Sequence, residues 1–306
     1  MPTPALPLPP PAHAAPLPSP RIGSGGVRVL SGVPYAALPG ARPLELDLYL
    51  PPAPGPAPVA VFLHGGGWRL GSRHSAGPAY RGADPTPFEQ LAQAGIAVAS
   101  VDYRLSGEAG WPAQLHDAKA AVRWLRSRAA ELGVDPDRIA AWGESAGGHL
   151  AELLGLVADP ALEGGVGLTG PSSAVVAVAA WYAPSDVAAV ATDNGADPHD
   201  PDSRETQLLG APVPSVPDVA AQASPLTHVS PGAPPFLLLH GRADRFVSCR
   251  QSERLHDALS EAGAEVELHT YDGADHMWLG SPDSATDALV RTTAFLRHHL
   301  IEGDRA

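Results

Sequence analysis

Cysteine is almost missing from this chain. Cys249 stands alone among 306 residues, which excludes an intramolecular disulfide and fits a reducing compartment. Positive charge is scarce too: 20 Lys and Arg face 33 Asp and Glu, a formal net charge of -13. A chain without a basic face is not built to hold a phosphate backbone, so no nucleic-acid partner is expected. No run reaches the roughly 18 apolar residues that a membrane helix requires, so no membrane span is expected either. The N-terminus shows neither the basic start nor the apolar stretch of a secretory signal. These gaps predict a cytoplasmic protein and leave its oligomeric state open.

Proline and glycine are plentiful, at 35 and 32 residues. Prolines crowd into "MPTPALPLPPPAHAAPLPSP", a composition that predicts a flexible arm over residues 1–22, followed by a single domain over 23–306. In that domain "LELDLYL" (44–50) sets Leu44, Leu46, Leu48 and Leu50 against Glu45, Asp47 and Tyr49, the alternation of a half-solvated strand, with "VRVLSGVPY" as an antiparallel partner. The segments 58–64, 95–103, 138–144, 174–182, 235–241 and 264–271 are short apolar runs of the kind parallel strands make when covered on both faces. Between them lie helix-period segments. In 113–132, Leu115, Ala118, Val122, Leu125, Ala129 and Leu132 recur at three- and four-residue steps, and 146–158, 250–262 and 285–300 repeat the theme. The alternation predicts an α/β protein: a mostly parallel, eight-stranded sheet with helices on both faces. The stretch 184–232 breaks the rhythm and reads as an excursion near a site. Its "DPHDPD" (197–202) has prolines between the acids and matches no zinc or calcium spacing, so a solvated loop is expected and no metal.

The chemistry concentrates in four places. "RIAAWGESAGG" runs as strand, turn and helix around Ser145, with Gly143 and Gly147 where side chains would collide in so tight a bend; this G-x-S-x-G pattern exposes a serine hydroxyl as a nucleophile. "FLHGGGW" (62–68) follows a buried strand with three glycines, whose backbone can approach a carbonyl oxygen closely. Gly66 and Gly67, with the amide of Ala146, are the expected oxyanion donors, and His64 is expected to shape that loop rather than act as the base. Asp244 follows a further strand and His276 lies in a loop after the last one, giving the order Ser145, Asp244, His276. Asp272 and Asp275 compete for the acid role but stand too near His276 in sequence. Trp68, Glu144 and Trp278 flank these positions and are candidate pocket residues. Cys249 lacks a suitably spaced histidine and reads as packing.

With these residues in hand the chain resembles the α/β-hydrolases, in particular the esterase/lipase group that is similar to hormone-sensitive lipase and includes bacterial carboxylesterases and feruloyl-esterase-like enzymes. The resemblance rests on "HGGGW", "VDYRL" (101–105), "GESAGGHL" (143–150), "PLTHVSPGAPPFLLLHGRADRFV" (225–247) and "GADHMW" (273–278). It implies an α/β-hydrolase fold, a Ser145–His276–Asp244 triad, an oxyanion hole of Gly66, Gly67 and Ala146, and no cofactor. Ser248 replaces a proline common in such aspartate loops, and Arg242 and Arg245 flank Asp244 more basically than usual; they are expected to face solvent. No N-terminal helical cap is evident in residues 1–40, so the cover is expected from 68–90 and 184–225. The expected activity is cleavage of a small-molecule carboxylic ester through an acyl-enzyme. An arylformamidase-like amidase, a peptidase, or an acyl transfer or specialised biosynthetic step would use the same triad, and a ligand-binding protein on the same fold would have lost part of it.

Overall fold

The structure is a computed structural model, and it describes residues 11–303. Nine strands form one sheet: β1 (Arg21–Ile22), β2 (Arg28–Ala36), β3 (Leu44–Leu50), β4 (Ala57–Leu63), β5 (Ala97–Val101), β6 (Val134–Glu144), β7 (Val178–Trp181), β8 (Phe236–Gly241) and β9 (Val266–Tyr271). Their spatial order is β1-β2-β3-β5-β4-β6-β7-β8-β9. The pairs from β1 to β5 are antiparallel, and the rest of the sheet is parallel. The eight expected strands are all present; the ninth is the two-residue β1.

Strand pleating divides the core in two. In β4, Val59, Val61 and Leu63 point to one side, where Leu115, Val122, Leu150, Leu153 and Leu255 cover them. Ala60 and Phe62 point to the other side, toward Phe88, Leu91, Trp142 and Leu296. The first layer is supplied by helices Ala113–Ser127, Ala146–Leu156 and Arg250–Glu261, and the second by Pro87–Gln93 and Pro282–Arg297. Strands closed on both faces need apolar residues at successive positions, which is why these runs carry no alternation. The helix expected over 113–132 pauses at Arg128, resumes over Ala129–Leu132, and stops at Gly133 in the left-handed region (φ 71°). The helix Pro87–Gln93 went unforeseen, although Thr86 and Glu89 close a capping box at its start.

Two expectations change. Of the arm expected over 1–22, residues 1–10 lie outside the described residues. Residues 11–22 lie against the domain: Trp124 Nε1 donates to His13 O (3.0 Å), Arg128 Nη1 donates to Ala15 O (2.8 Å), and β1 pairs with β2. Side-chain donors on the Ala113–Ser127 helix and at its C-cap thus order a stretch whose composition alone reads as free chain. The strand expected to be half-solvated, β3, is buried on both faces apart from Glu45. Tyr49 packs at a tilt against Phe88 with ring centroids 5.2 Å apart, and Asp47 is neutralised from outside the sheet.

The neutralising group is Arg73, in the loop that returns from β4. Its Nε lies 2.9 Å from Asp47 Oδ1 and its Nη2 2.9 Å from Glu45 Oε2, while Nη1 pairs with Asp102. Its own amide donates to Asp102 Oδ1 (2.7 Å), and Ser100 Oγ donates to its carbonyl (2.6 Å). One side chain therefore ties the loop after β4 to β3 and to the end of β5. Arg73→Ala leaves Asp47 buried without its cation and is expected to lower stability by about 3 kcal/mol, read as a fall in the urea midpoint with an unchanged slope.

Candidate active site

The C-terminal ends of the parallel strands carry the candidate residues, as open α/β sheets arrange them. β6 ends at Glu144, and the helix Ala146–Leu156 starts two residues later. Ser145, between them, sits at φ 51°, ψ -121°, a strained backbone for a residue with a Cβ. Its amide donates to Trp181 O (2.8 Å) on β7, which fixes the bend against the neighbouring strand. A Cβ added at Gly143 would stand 2.2 Å from Gly147 O, and one at Gly147 would stand 2.0 Å from Leu63 O. No side chain fits either place.

Two further loops bring partners to this serine. Asp244 follows β8, and its Oδ1 accepts from the amides of Phe246 and Val247, both at 2.8 Å. Its Oδ2 lies 2.6 Å from His276 Nδ1 and 3.4 Å from His240 Nε2. Burial opposes its ionised form, but the hydrogen bonds with His240 and His276 outweigh that and hold the carboxyl well below the usual carboxylate range. An ionised carboxylate only accepts, so the shared proton sits on His276 Nδ1 and leaves Nε2 as an acceptor. His276 Nε2 lies 3.0 Å from Ser145 Oγ. The three residues singled out in the sequence thus form one continuous hydrogen-bonded line. Asp275, the rejected alternative, caps the turn instead by accepting from the His276 amide (2.8 Å).

The glycine loop after β4 faces the serine. A Cβ at Gly66 (φ 118°) would stand 2.1 Å from Leu70 O, so only glycine closes this turn. Among the described residues, no protein acceptor meets the amides of Gly66 or Gly67. Ala146 opens its helix, where the first amides have no intrahelical partner. His64 is buried, with Nδ1 donating to Gly65 O (2.8 Å) and its ring stacked on Tyr103 at 4.3 Å; burial lowers its pKa. It shapes the loop, as expected.

A cavity of about 170 Å³ opens between these elements, lined by the glycine loop, Ser145, His276, Glu144, Leu70, Arg69, Arg204, Phe246 and Met277. Of the three candidate pocket residues, Glu144 is on its wall, but its carboxylate is engaged: Oε1 accepts from the Gly65 amide (3.3 Å) and Oε2 from Tyr182 Oη (2.6 Å). Burial raises its pKa. Trp68 and Trp278 do not line the cavity. Both have left-handed backbones (φ 56° and 64°) that turn their indoles inward, Trp68 onto His149 and Trp278 among Trp181, Tyr182 and Tyr271. Arg69 and Leu70, within 68–90, and Arg204, within 184–225, line the cavity. Arg242 and Arg245 are exposed but not free: Arg242 Nε lies 3.3 Å from Asp272 and Arg245 Nη2 2.5 Å from Asp275. Cys249 is half-buried, and burial pushes its thiol up to about 11, too high for a nucleophile at neutral pH. In "DPHDPD", Asp197 and Asp200 accept from amides two residues on (2.8 and 2.9 Å), as turn residues do. Among the described residues, the His and carboxylate groups close enough to share an ion are Glu265, His298 and His299, on other elements than those lining this cavity.

Sequence reasoning missed His149. It stands one helical turn after Ser145, a spacing that places it on the same helix face. Its Nδ1 accepts from Trp68 Nε1 (3.2 Å) and its Nε2 donates to Ala223 O (2.6 Å), joining the glycine loop, the serine helix and the 184–232 excursion.

The family model described as BD-FAE matches residues 46–259. The chain is 35% identical to Esterase LipQ of Mycobacterium tuberculosis over 76% of its own length and 53% of that protein, and 33% identical to Esterase LipC of the same organism over 72% and 53%. It spans about half the length of these curated relatives. Among solved structures, a truncated carbohydrate esterase from gut microbiota superposes with a TM-score of 0.77 at 29% identity, over 93% of this chain and 99% of that one. The propionate-bound esterase Est2 of the planctomycete Thermogutta terrifontis does so with 0.70 at 30%, over 89% and 94%.

His149 generates a pH test. Burial lowers its pKa from 6.5 to about 4, so below pH 6.5 the unfolded chain takes up a proton that the folded one refuses. Stability from this group is complete above pH 6.5 and falls as the pH drops toward 4, by about 3 kcal/mol over the window. His149→Asn is expected to flatten that part of the pH profile in urea unfolding curves, relative to the parent protein.

Proposed function

The chain belongs to the BD-FAE family of α/β-hydrolase esterases, and on that premise we propose that it is a serine hydrolase of carboxylic esters. The observation that carries the reading is the line from Asp244 through His276 to Ser145, with links of 2.6 and 3.0 Å, facing two glycine amides that meet no acceptor among the described residues. In the proposed reaction Ser145 Oγ attacks the ester carbonyl while His276 Nε2 takes its proton, and the carbonyl electrons move onto oxygen. The amides of Gly66, Gly67 and Ala146 receive that oxyanion, each donor contributing about 3 kcal/mol to the transition state. Collapse expels the alcohol, which takes the proton from His276 and leaves an acyl-serine. Water, deprotonated by the same imidazole, then releases the carboxylic acid. Asp244 stays ionised throughout and holds the ring in the tautomer that leaves Nε2 free to accept.

The cavity volume of about 170 Å³ suits a short acyl group, and the Thermogutta terrifontis relative, which holds propionate, supports the same reading. Ser145→Ala is expected to lower kcat by at least about 10³-fold and Asp244→Asn by about 10⁴-fold, with circular dichroism unchanged. In a p-nitrophenyl ester series, acetate and butyrate are expected to exceed decanoate in kcat/KM. Full turnover by Ser145→Ala would remove the mechanism, and a decanoate optimum would remove the short-acyl assignment. Aryl formamides and peptide amides measured alongside separate ester cleavage from the amidase and peptidase alternatives.

A further inference from the structure

Among the described residues, two arginines at the mouth of the serine pocket form no ion pair, although Glu205 lies within electrostatic reach of both. Arg204 opens the short helix Arg204–Leu209 and lines the cavity with Ser145 and His276. Its stem presses on the glycine loop: a Cβ added at Gly67 would stand 2.4 Å from Arg204 Cδ and 3.2 Å from Nε. The guanidinium therefore hangs beside one of the proposed oxyanion donors. Its carbon lies 4.9 Å from the centre of the Phe246 ring, and among the described residues it makes no hydrogen bond or ion pair. Arg69 lines the same cavity; among the described residues its Nη1 has two long contacts, 3.5 Å each, to Asp202 O and Gln207 Oε1. By contrast Arg245, nearby, is paired with Asp275 at 2.5 Å. Arg73, Arg104 and Arg123, which the fold largely encloses, are each matched by a carboxylate in this way.

Beyond the two arginines lies a second hollow of about 360 Å³ that shares Arg69, Arg204 and Phe246 with the first. Its other wall carries Asp197, Asp200, Asp202 and Glu205. Asp197 and Asp200 accept from their own turn amides and Glu205 reaches both arginines without an ion pair to either, so the guanidinium heads at the threshold keep donors for a negative group between the two chambers. A guanidinium is planar and presents parallel N–H donors that match a carboxylate, and the Phe246 face keeps that of Arg204 in position. We propose that Arg204, assisted by Arg69, recognises a carboxylate on the substrate, and that the preferred substrates are esters carrying one a few bonds from the scissile carbonyl. This rests on the ester-hydrolase reading above and adds the substrate's charge to it.

The test pairs esters that differ in charge and little else. Monoethyl glutarate against ethyl valerate places the carboxylate on the acyl side, and 3-acetoxybenzoate against 3-acetoxybenzamide places it on the alcohol side. In at least one pair the anionic member is expected to be favoured by about ten-fold or more in kcat/KM, mainly through KM. Arg204→Gln is expected to lower that ratio by about 10-fold or more and Arg69→Gln by less, and raising the salt concentration should shrink it. Calorimetry of 3-acetoxybenzoate, 3-acetoxybenzamide, glutarate and glutaramide with the Ser145→Ala protein reads recognition without turnover. If neither member of a pair is hydrolysed while the anionic compounds still bind more tightly, the hydrolase reading fails and anion recognition stands. If ratios stay near one and calorimetry shows no anion preference, or if Arg204→Gln slows both members equally, the proposal is overturned.

Discussion

The close approach of one helix to two strands governs this molecule. At Gly143 and Gly147 the start of the helix Ala146–Leu156 comes so near β6 and β4 that a single added carbon would lie about 2 Å from a carbonyl oxygen. That proximity, with the Ser145 amide held by Trp181 O, leaves the chain no relaxed path from strand to helix. Ser145 takes up the remaining angle in a backbone region its side chain disfavours. The hydroxyl projects from the sheet because the atoms around it forbid any other course. Strain at one residue is thus supported by ordinary packing at its neighbours, Ala146 on one side of the sheet and Trp142 and Trp181 on the other.

The loops above the sheet are tied to that point by a few buried polar groups. His149 joins the glycine loop to the excursion between β7 and β8, and Glu144 reaches from the end of β6 to the same glycine loop and to Tyr182. Arg73 secures the loop's exit to β3 and β5. Each of these groups bonds to backbone or to an opposite charge, as buried polar groups must. The result is a rigid frame under a rim of exposed side chains, Leu70 and Phe246 among them, which separates what positions the reacting atoms from what meets the substrate.

How much of this could be read from the chain follows from the range of the forces involved. Unbroken apolar runs mark β4, β6 and β8, and periodicity marks the long helices, because the residues that must be apolar lie within one element. Ser145, Asp244 and His276 stand out because each sits on a turn after a strand, in a recognisable order. Burial of Asp47 depends on Arg73, 26 residues away, and nothing in the pattern of β3 announces it. Docking of residues 11–22 depends in the same way on Trp124 and Arg128, more than a hundred positions downstream. Trp68 and Trp278 mislead for a different reason: positive φ values reverse the direction their neighbours in sequence suggest. Arg204, Phe246 and Met277 reach the cavity from three loops without period, so only the folded chain reveals that they share a wall.

The sheet also ends unequally. At one margin β1 is two residues long and, among the described residues, pairs with β2 alone, so an approaching strand finds room for no more than a bond or two. At the other margin β9 is longer, and Glu265, Glu267 and His269 lie in or beside it with their faces partly open to water. Shortness at one margin and ionisable side chains at the other are both means by which sheet proteins discourage edge-to-edge templating. A chain with six adjacent parallel strands, slow to pair and apolar while unpaired, gains from such margins a native state that does not seed its own aggregation.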